Sequence, residues 1–432
     1  MRITYPVSVS AALFGVTLAL KTFDPQCTAP DEAANFVKSP NARGTYDILW
    51  NSMFTLFICT LTVQHLNISH KSDTKIDTSV RGKIRAMLQE GWPKIMWMLI
   101  VIIAPEFLVA FSFQDWMLVR DFFKTVYMID GRGISSWSKT HVLYANMGGF
   151  VITLKRSKRL CYKDDITLYL SAIQLYVAKE LGIINELPDM LEIDIQDKNK
   201  GDLFVKGTAV IQLTNFLIRF ITRMAKRLPI SQLETAVFAF CLCTFIAYFF
   251  YWSKPQSVMV PTPIKYDRGD PPRDVLDDDI KILEIFGSLS FIKTTFVPPF
   301  RSDRRKPTEL ITNDMMDGVF FVVGGVFTHY AESAAVLGGV LFGALYSIAW
   351  SFPFPSRVEM ILWRVATVAV AVGPVVYNIA NVVFTMAFQG NPKNKRHAAG
   401  LYTIAVIYLL GRIFLIVEMF RTLFFLPPRA FV

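Results

Sequence analysis

Charge is scarce in this sequence. Asp, Glu, Lys and Arg supply 19% of its residues, below the roughly 25% of a typical soluble domain, while hydrophobic residues reach 53%. That balance argues against a string of soluble domains. Cysteine is also sparse: Cys27, Cys59, Cys161, Cys241 and Cys243 form no CxxC pair, so no zinc or redox motif is spelled out. The signatures of common soluble enzymes are missing, with no GxSxG, no Walker loop, no dinucleotide fingerprint and no HExxH. The formal net charge of +10 comes without zinc-ligand spacing or an RNA-binding signature, so no nucleic-acid partner is expected. Basic residues in short loops instead orient a chain in a bilayer and favour anionic headgroups.

What the sequence does have is long apolar runs, close to the ~20 residues that a helix needs to cross a hydrocarbon core. They are Tyr46 to His65, Ile95 to Phe113, Leu203 to Ile221, Leu233 to Trp252, Ala334 to Trp350, Val358 to Phe384 and Leu401 to Leu423. Helix is the default spanning form, because it satisfies every backbone polar group within the segment. Residues 1–20 read as a signal peptide or signal anchor. Gly318 to Tyr330 is apolar but short, and reads as a re-entrant segment or half of a broken helix. The expectation is an all-α polytopic membrane protein of about seven or eight transmembrane helices with a folded extramembrane insertion. Its parts would be a helix pair over 46–113, an insertion over 114–202, a second pair over 203–252, a Pro-rich charged loop over 253–316 and a C-terminal bundle over 317–432.

Lys71, Lys75, Arg81, Lys83, Arg85 and Lys94 in one short loop, and Arg223, Lys226 and Arg227 in another, predict a cytoplasmic position for both. The insertion would then be non-cytoplasmic, a side on which a Cys27–Cys161 bridge is conceivable. Within it, Gly148 to Leu154 reads as a short strand or re-entrant turn, and Asp165 to Leu181 has a helix-like apolar pattern.

Ionisable residues inside apolar runs are costly, which makes each a candidate site. Glu106 follows Pro105 in the middle of its run: a proton, ion or ligand site on one reading, a neutral or backbone-bonded carboxyl on the other. Arg412 is equally deep and needs a partner, for which Glu418 or Glu106 is available. Thr208, Gln212, Asn215, Arg219 and Arg223 recur at helical spacing, so they line a polar cavity or lie among headgroups. His329 and Glu332 share a helical face, as a proton relay or as an interfacial pair. Gly339 and Gly343 form a GxxxG packing face. Asp314 and Asp317, three apart at the start of an apolar run, suit one divalent cation or simply a helix N-terminus.

Several stretches carry a resemblance: GTYDILWNSMFTLFICTLTVQHLNI from Gly44, APE from Ala104, HVLYANMGGF from His141, DKNKGDLFVKGTAVIQ from Asp197, LPISQLE from Leu228 and AWSFPFPSRVEMILWR from Ala349. In these the chain resembles a group of uncharacterised fungal multi-pass membrane proteins. The resemblance implies a multi-pass architecture and no chemistry. It directs testing to Asp47, Trp50, His65, Glu106, His141, Asp197, Lys198, Lys200, Asp202 and Lys206, which fall in the matching stretches.

The expected partners are the lipid bilayer and a small-molecule or lipid ligand, at a membrane whose organelle the sequence does not name. The leading expectation is a transporter-like or sensing protein built on Glu106. The alternative is a membrane enzyme for a lipid-phase or isoprenoid substrate, with a divalent cation held by Asp314 and Asp317 or by the Asp197 to Asp202 loop; outside that alternative no cofactor is implied.

Overall fold

The computed structural model describes residues 43–68, 79–131, 136–154, 166–198, 202–258, 260–265, 311, 321–323, 326–328, 330–387 and 395–431. In chain order they form α1 (Thr45–Thr62), α2 (Val80–Ile103), α3 (Glu106–Asp130), α4 (Lys139–Asn146), β1 (Phe150–Leu154), β2 (Ile166–Tyr169), α5 (Ala172–Glu180), α6 (Glu192–Asp197), α7 (Asp202–Ala225), α8 (Gln232–Tyr251), β3 (Thr262–Ile264), β4 (Phe321–Val323), β5 (Val326–Thr328), α9 (Tyr330–Tyr346), α10 (Arg357–Ala387) and α11 (Lys395–Arg421).

Among the described residues five stretches are long and apolar enough to cross a bilayer: Phe204–Ala225, Gln232–Tyr251, Ser333–Ser351, Arg357–Asn381 and Ala399–Phe425. They are compatible with a membrane location. Helix α8 is the most buried of them, as expected of a segment apolar on all sides; α7, α9 and α11 pack against it, and α10 packs on α9 and α11. Outward faces stay apolar: Val365, Val368, Val372, Val376 and Ile379 are exposed along α10, a continuous belt that would be a liability in water but suits hydrocarbon. Glycines let the helices close up. A Cβ on Gly343 would lie 2.3 Å from the Ala371 Cβ, and one on Gly339 2.7 Å from Pro374 Cγ, so the GxxxG face is the seat of α9 on α10.

The run Ile95 to Phe113, expected to cross, does not make one straight helix. It breaks between α2 and α3 with a 111° change of direction. Pro105 disfavours helix at Ala104 and cannot donate to the preceding turn. Both arms lead toward the end of α8: Lys94 Nζ donates to Ser257 Oγ at 3.3 Å, and Asp115 Oδ2 accepts from Lys254 at 2.7 Å. Such a bent pair is a broken span or a re-entrant loop.

Helices α1 and α8 run parallel. Arg43, just before α1, binds Glu234 in the first turn of α8, and His65, just after α1, stacks on Tyr251 at the end of α8 with ring centroids 4.7 Å apart. The described residues that follow α1 and those that precede α8 therefore lie at opposite ends of the bundle.

The insertion is not purely helical. Strands β2, β1 and β3 form one sheet, with β1 antiparallel to β2 and parallel to β3. The expected helix-like stretch from Asp165 divides into β2 and α5, and Ser171 caps α5 through the Gln174 side chain. The insertion has its own core of Tyr144, Phe150, Ile152, Leu168 and Tyr176, into which the end of α3 contributes Val119, Phe122 and Val126. Gly149 is required there, since a Cβ would sit 2.5 Å from the Tyr144 ring. Within Gly318 to Tyr330, β4 and β5 pair as an antiparallel hairpin rather than as half a broken helix.

Candidate functional site

Two polar clusters among the described residues involve the bent pair. The first is built on the break. Because the chain turns at Pro105, Glu106 opens α3, where the helix dipole favours a carboxylate. Helix α9 approaches closely: a Cβ on Gly338 would lie 3.2 Å from Glu106 Cα. From α11, Arg412 Nη2 donates to Glu106 Oε2 at 2.6 Å, the Tyr408 hydroxyl donates to Glu106 Oε1, and Arg412 Nε donates to the Tyr408 oxygen at 2.7 Å. The guanidinium also lies over the Phe342 ring, 4.4 Å from its centroid. The Arg412 and Glu106 side chains are only 3% and 4% exposed, so the charges are compensated by each other and not by water. Of the two partners available to Arg412, Glu106 is the one it takes; Glu418 is buried with Oε1 unpaired among the described residues.

The second cluster is a cavity of about 70 Å³ where the ends of α1 and α8 meet the bent pair. Its lining is Gln64, His65, Leu66 and Asn67 after α1, Trp97 and Val101 on α2, Leu108, Phe111, Gln114 and Asp115 on α3, and Tyr251 and Lys254 at the end of α8. Lys254 is buried, pairs with Asp115 at 2.7 Å, and rests over the Tyr251 ring at 5.1 Å. Lys206 of α7 donates to the Lys254 carbonyl at 3.3 Å, which ties α7 to the same corner. Gln256 Nε2 donates to the Thr62 and Gln64 carbonyls, holding the residues after α1 in place.

Other predicted residues are dispersed. Arg219 is exposed and donates to Asn215 Oδ1 at 3.1 Å, so the polar stripe of α7 faces outward, apart from Gln212, which donates to Thr55 of α1 at 3.2 Å, and Arg223, which donates to the Pro229 and Ala430 carbonyls at 3.1 Å. The opposite face, with Ala209, Leu213, Phe216 and Phe220, is the one that packs into the bundle. Asp197 is exposed on the insertion. Asp202 opens α7, and Glu332 belongs to α9, but their side chains, together with Lys200, His329, Asp314, Asp317, Cys27 and Cys161, lie outside the described residues. Among the described residues no group of three His, Cys, Asp or Glu side chains is arranged to hold a metal ion.

The matching stretches held His65 and Lys206, but reading the sequence missed Asp115, Lys254 and Tyr408. Lys254 had a readable signal, a lysine two residues beyond the end of a continuous apolar run. Tyr408 had none, being one tyrosine in an apolar helix until the fold brings Glu106 beside it.

In the insertion, His141 caps its own helix: Nδ1 accepts from the Ser138 backbone N–H at 3.1 Å, and Nε2 donates to the Met190 carbonyl at 2.6 Å. Thr140 donates to Glu192 Oε1 at 2.7 Å, and this hydrogen bond, ahead of other causes, holds the Glu192 carboxyl below its ordinary value. These contacts clamp α4 to α6. They leave no open group for chemistry on His141.

No curated protein and no solved structure matches the chain. Residues 16–290, which include both helices of the bent pair, the insertion and every residue lining the cavity, match the Family of unknown function (DUF8562), and the chain belongs to that family.

Proposed function

We propose that this is a multi-pass membrane protein of the sensing or transporter-like kind, in which the bent pair α2–α3 closes a polar ligand cavity against the ends of α1 and α8. The observation that carries the reading is the cavity itself: the buried Lys254 paired with Asp115, and the buried His65 and Gln64, among the apolar side chains of Trp97, Val101, Leu108 and Phe111. Buried polar groups are normally paired, and clusters that are not are where ligands bind. Glu106 has a different part in this reading. Both its oxygens are engaged by α11, so it latches the tip of the bent pair to the bundle, and movement of that tip would open or close the cavity.

The test is access. Leu66→Cys places a thiol on the cavity wall, and sealed vesicles holding the full chain are treated with a membrane-impermeant thiol reagent from each side in turn. Reaction from one side identifies a sensing site, and reaction from both identifies a carrier. Reaction from neither overturns the reading.

A further inference from the structure

Helix α7 is long and apolar enough to cross a bilayer, yet its outer face does not suit lipid. It runs antiparallel to α8 along the whole of that helix. Near the start of α7, Lys206 donates to the Lys254 carbonyl beyond the end of α8; near its finish, Arg223 donates to the Pro229 carbonyl before α8 begins. Asn215 is therefore level with the middle of α8, and Arg219, four residues on, is about 6 Å from that level at a rise of about 1.5 Å per residue. Both are exposed, as are Thr208, Thr214 and Thr222. Other spans face outward differently: α10 presents Val365, Val368, Val372, Val376 and Ile379, and α11 presents Val406, Leu410, Ile413 and Val417. Hydrocarbon satisfies neither an amide nor a guanidinium, so a face that meets lipid is built like those of α10 and α11.

Arg219 does not reach out to the headgroups. Its Nε donates to Asn215 Oδ1 at 3.1 Å, so the side chain runs toward the middle of the span, away from the end marked by Lys226 and Arg227. The Asn215 amide is neutral and leaves the charge to be offset. Between Phe204 and Ala225 the helix has no carboxylate of its own. A second copy inserted the same way round would pair about an axis along the membrane normal, which brings the two Arg219 guanidiniums to one depth with nothing to neutralise them. Charge complementarity therefore selects a different partner.

We propose that the outer face of α7 docks a transmembrane helix of another membrane protein, one that carries a carboxylate at the depth of Arg219. Asn215 and the threonines supply the flanking polar contacts. The proposal rests on the multi-pass reading above and goes beyond it by naming an interaction surface.

The full chain, with a donor fluorophore on an added C-terminal tag, is reconstituted in phosphatidylcholine vesicles with synthetic transmembrane helices of alanine and leucine that bear an acceptor. Each helix carries one Asp, Asn or Leu about one turn from its centre. The Asp helix is expected to reach half-maximal energy transfer at about tenfold lower density than the Leu helix, the size of a polar contact between membrane helices. In Arg219→Leu, which leaves the packed face of α7 untouched, the two helices are expected to bind equally; in Arg219→Glu a Lys helix is expected to bind instead. Equal binding of the Asp and Leu helices to the parent overturns the proposal, as does a preference that survives Arg219→Leu. Loss of the preference when phosphatidylglycerol replaces half of the lipid assigns Arg219 to anionic headgroups and also overturns it. A photo-crosslinker on Thr214→Cys that joins a second copy, or another part of its own chain, means that the face is already covered, and the proposal falls. If Thr214→Cys reacts with a water-soluble thiol reagent as fast as Lys226→Cys, the face lies in water and the crossing by α7 is removed from the multi-pass reading as well.

Discussion

The Glu106–Arg412 contact makes the most quantitative demand on the structure. Two full charges lie with Nη2 and Oε2 2.6 Å apart, each side chain at most 4% exposed. At an effective dielectric constant near 20 the attraction is about 6 kcal/mol, most of it consumed by desolvation of the two groups. Removing one partner leaves the other buried and unmatched. Arg412→Met should therefore destabilise the fold by about 3 to 5 kcal/mol, and Glu106→Leu by a similar amount. The double variant removes both charges together and should come within about 1 to 2 kcal/mol of the parent, because an apolar pair of similar volume replaces an ion pair at little net cost. The Tyr408 hydroxyl, which loses both partners in the double variant, accounts for the remaining deficit. The assay is equilibrium unfolding of the purified protein in mixed micelles titrated with dodecyl sulfate, with the coupling energy taken from the double-mutant cycle. If the two single losses simply add in the double variant, or if each single loss is under about 0.5 kcal/mol, the latch argument is wrong.

Two further outcomes follow from particular contacts. Gly343→Val forces a side chain into space already held by Ala371, so it should cost about 1 to 3 kcal/mol in the same titration and separate α9 from α10; an unchanged unfolding midpoint would mean that the two helices are not in contact at this point. Thr140→Val removes the hydrogen bond that keeps the Glu192 carboxyl low, and should cost about 1 to 2 kcal/mol of local stability at neutral pH, read as faster amide exchange in α4 after correction for intrinsic rates. A carboxyl whose folded value is depressed stabilises above its unfolded value of about 4.5 and loses that contribution as the pH falls through the folded value. The difference between variant and parent should therefore close in acid, and a difference that grows in acid would contradict the assignment.

Much of the architecture was legible because apolar length and continuity are local properties. The five apolar spans coincide with runs visible in the sequence, since a backbone in hydrocarbon must satisfy its own hydrogen bonds within the segment. Glu106, Arg412 and the Gly339–Gly343 pair also stand out locally, as charges where charge is expensive and as small residues at a fixed step. The direction of a crossing is not local. Whether Ile95 to Phe113 crosses or turns back depends on the Ala104–Pro105 break together with the contacts Lys94–Ser257 and Asp115–Lys254, made between residues more than a hundred positions apart.

The sequence by itself determined that this chain is built around long apolar helices, and that Glu106 and Arg412 had to be compensated. Only the tertiary structure decided that they compensate each other, and that His65, Asp115 and Lys254 surround one cavity. The reason is physical: burial cost is written in each residue, whereas the partner that offsets it is set by which helices pack, and packing depends on the whole bundle at once.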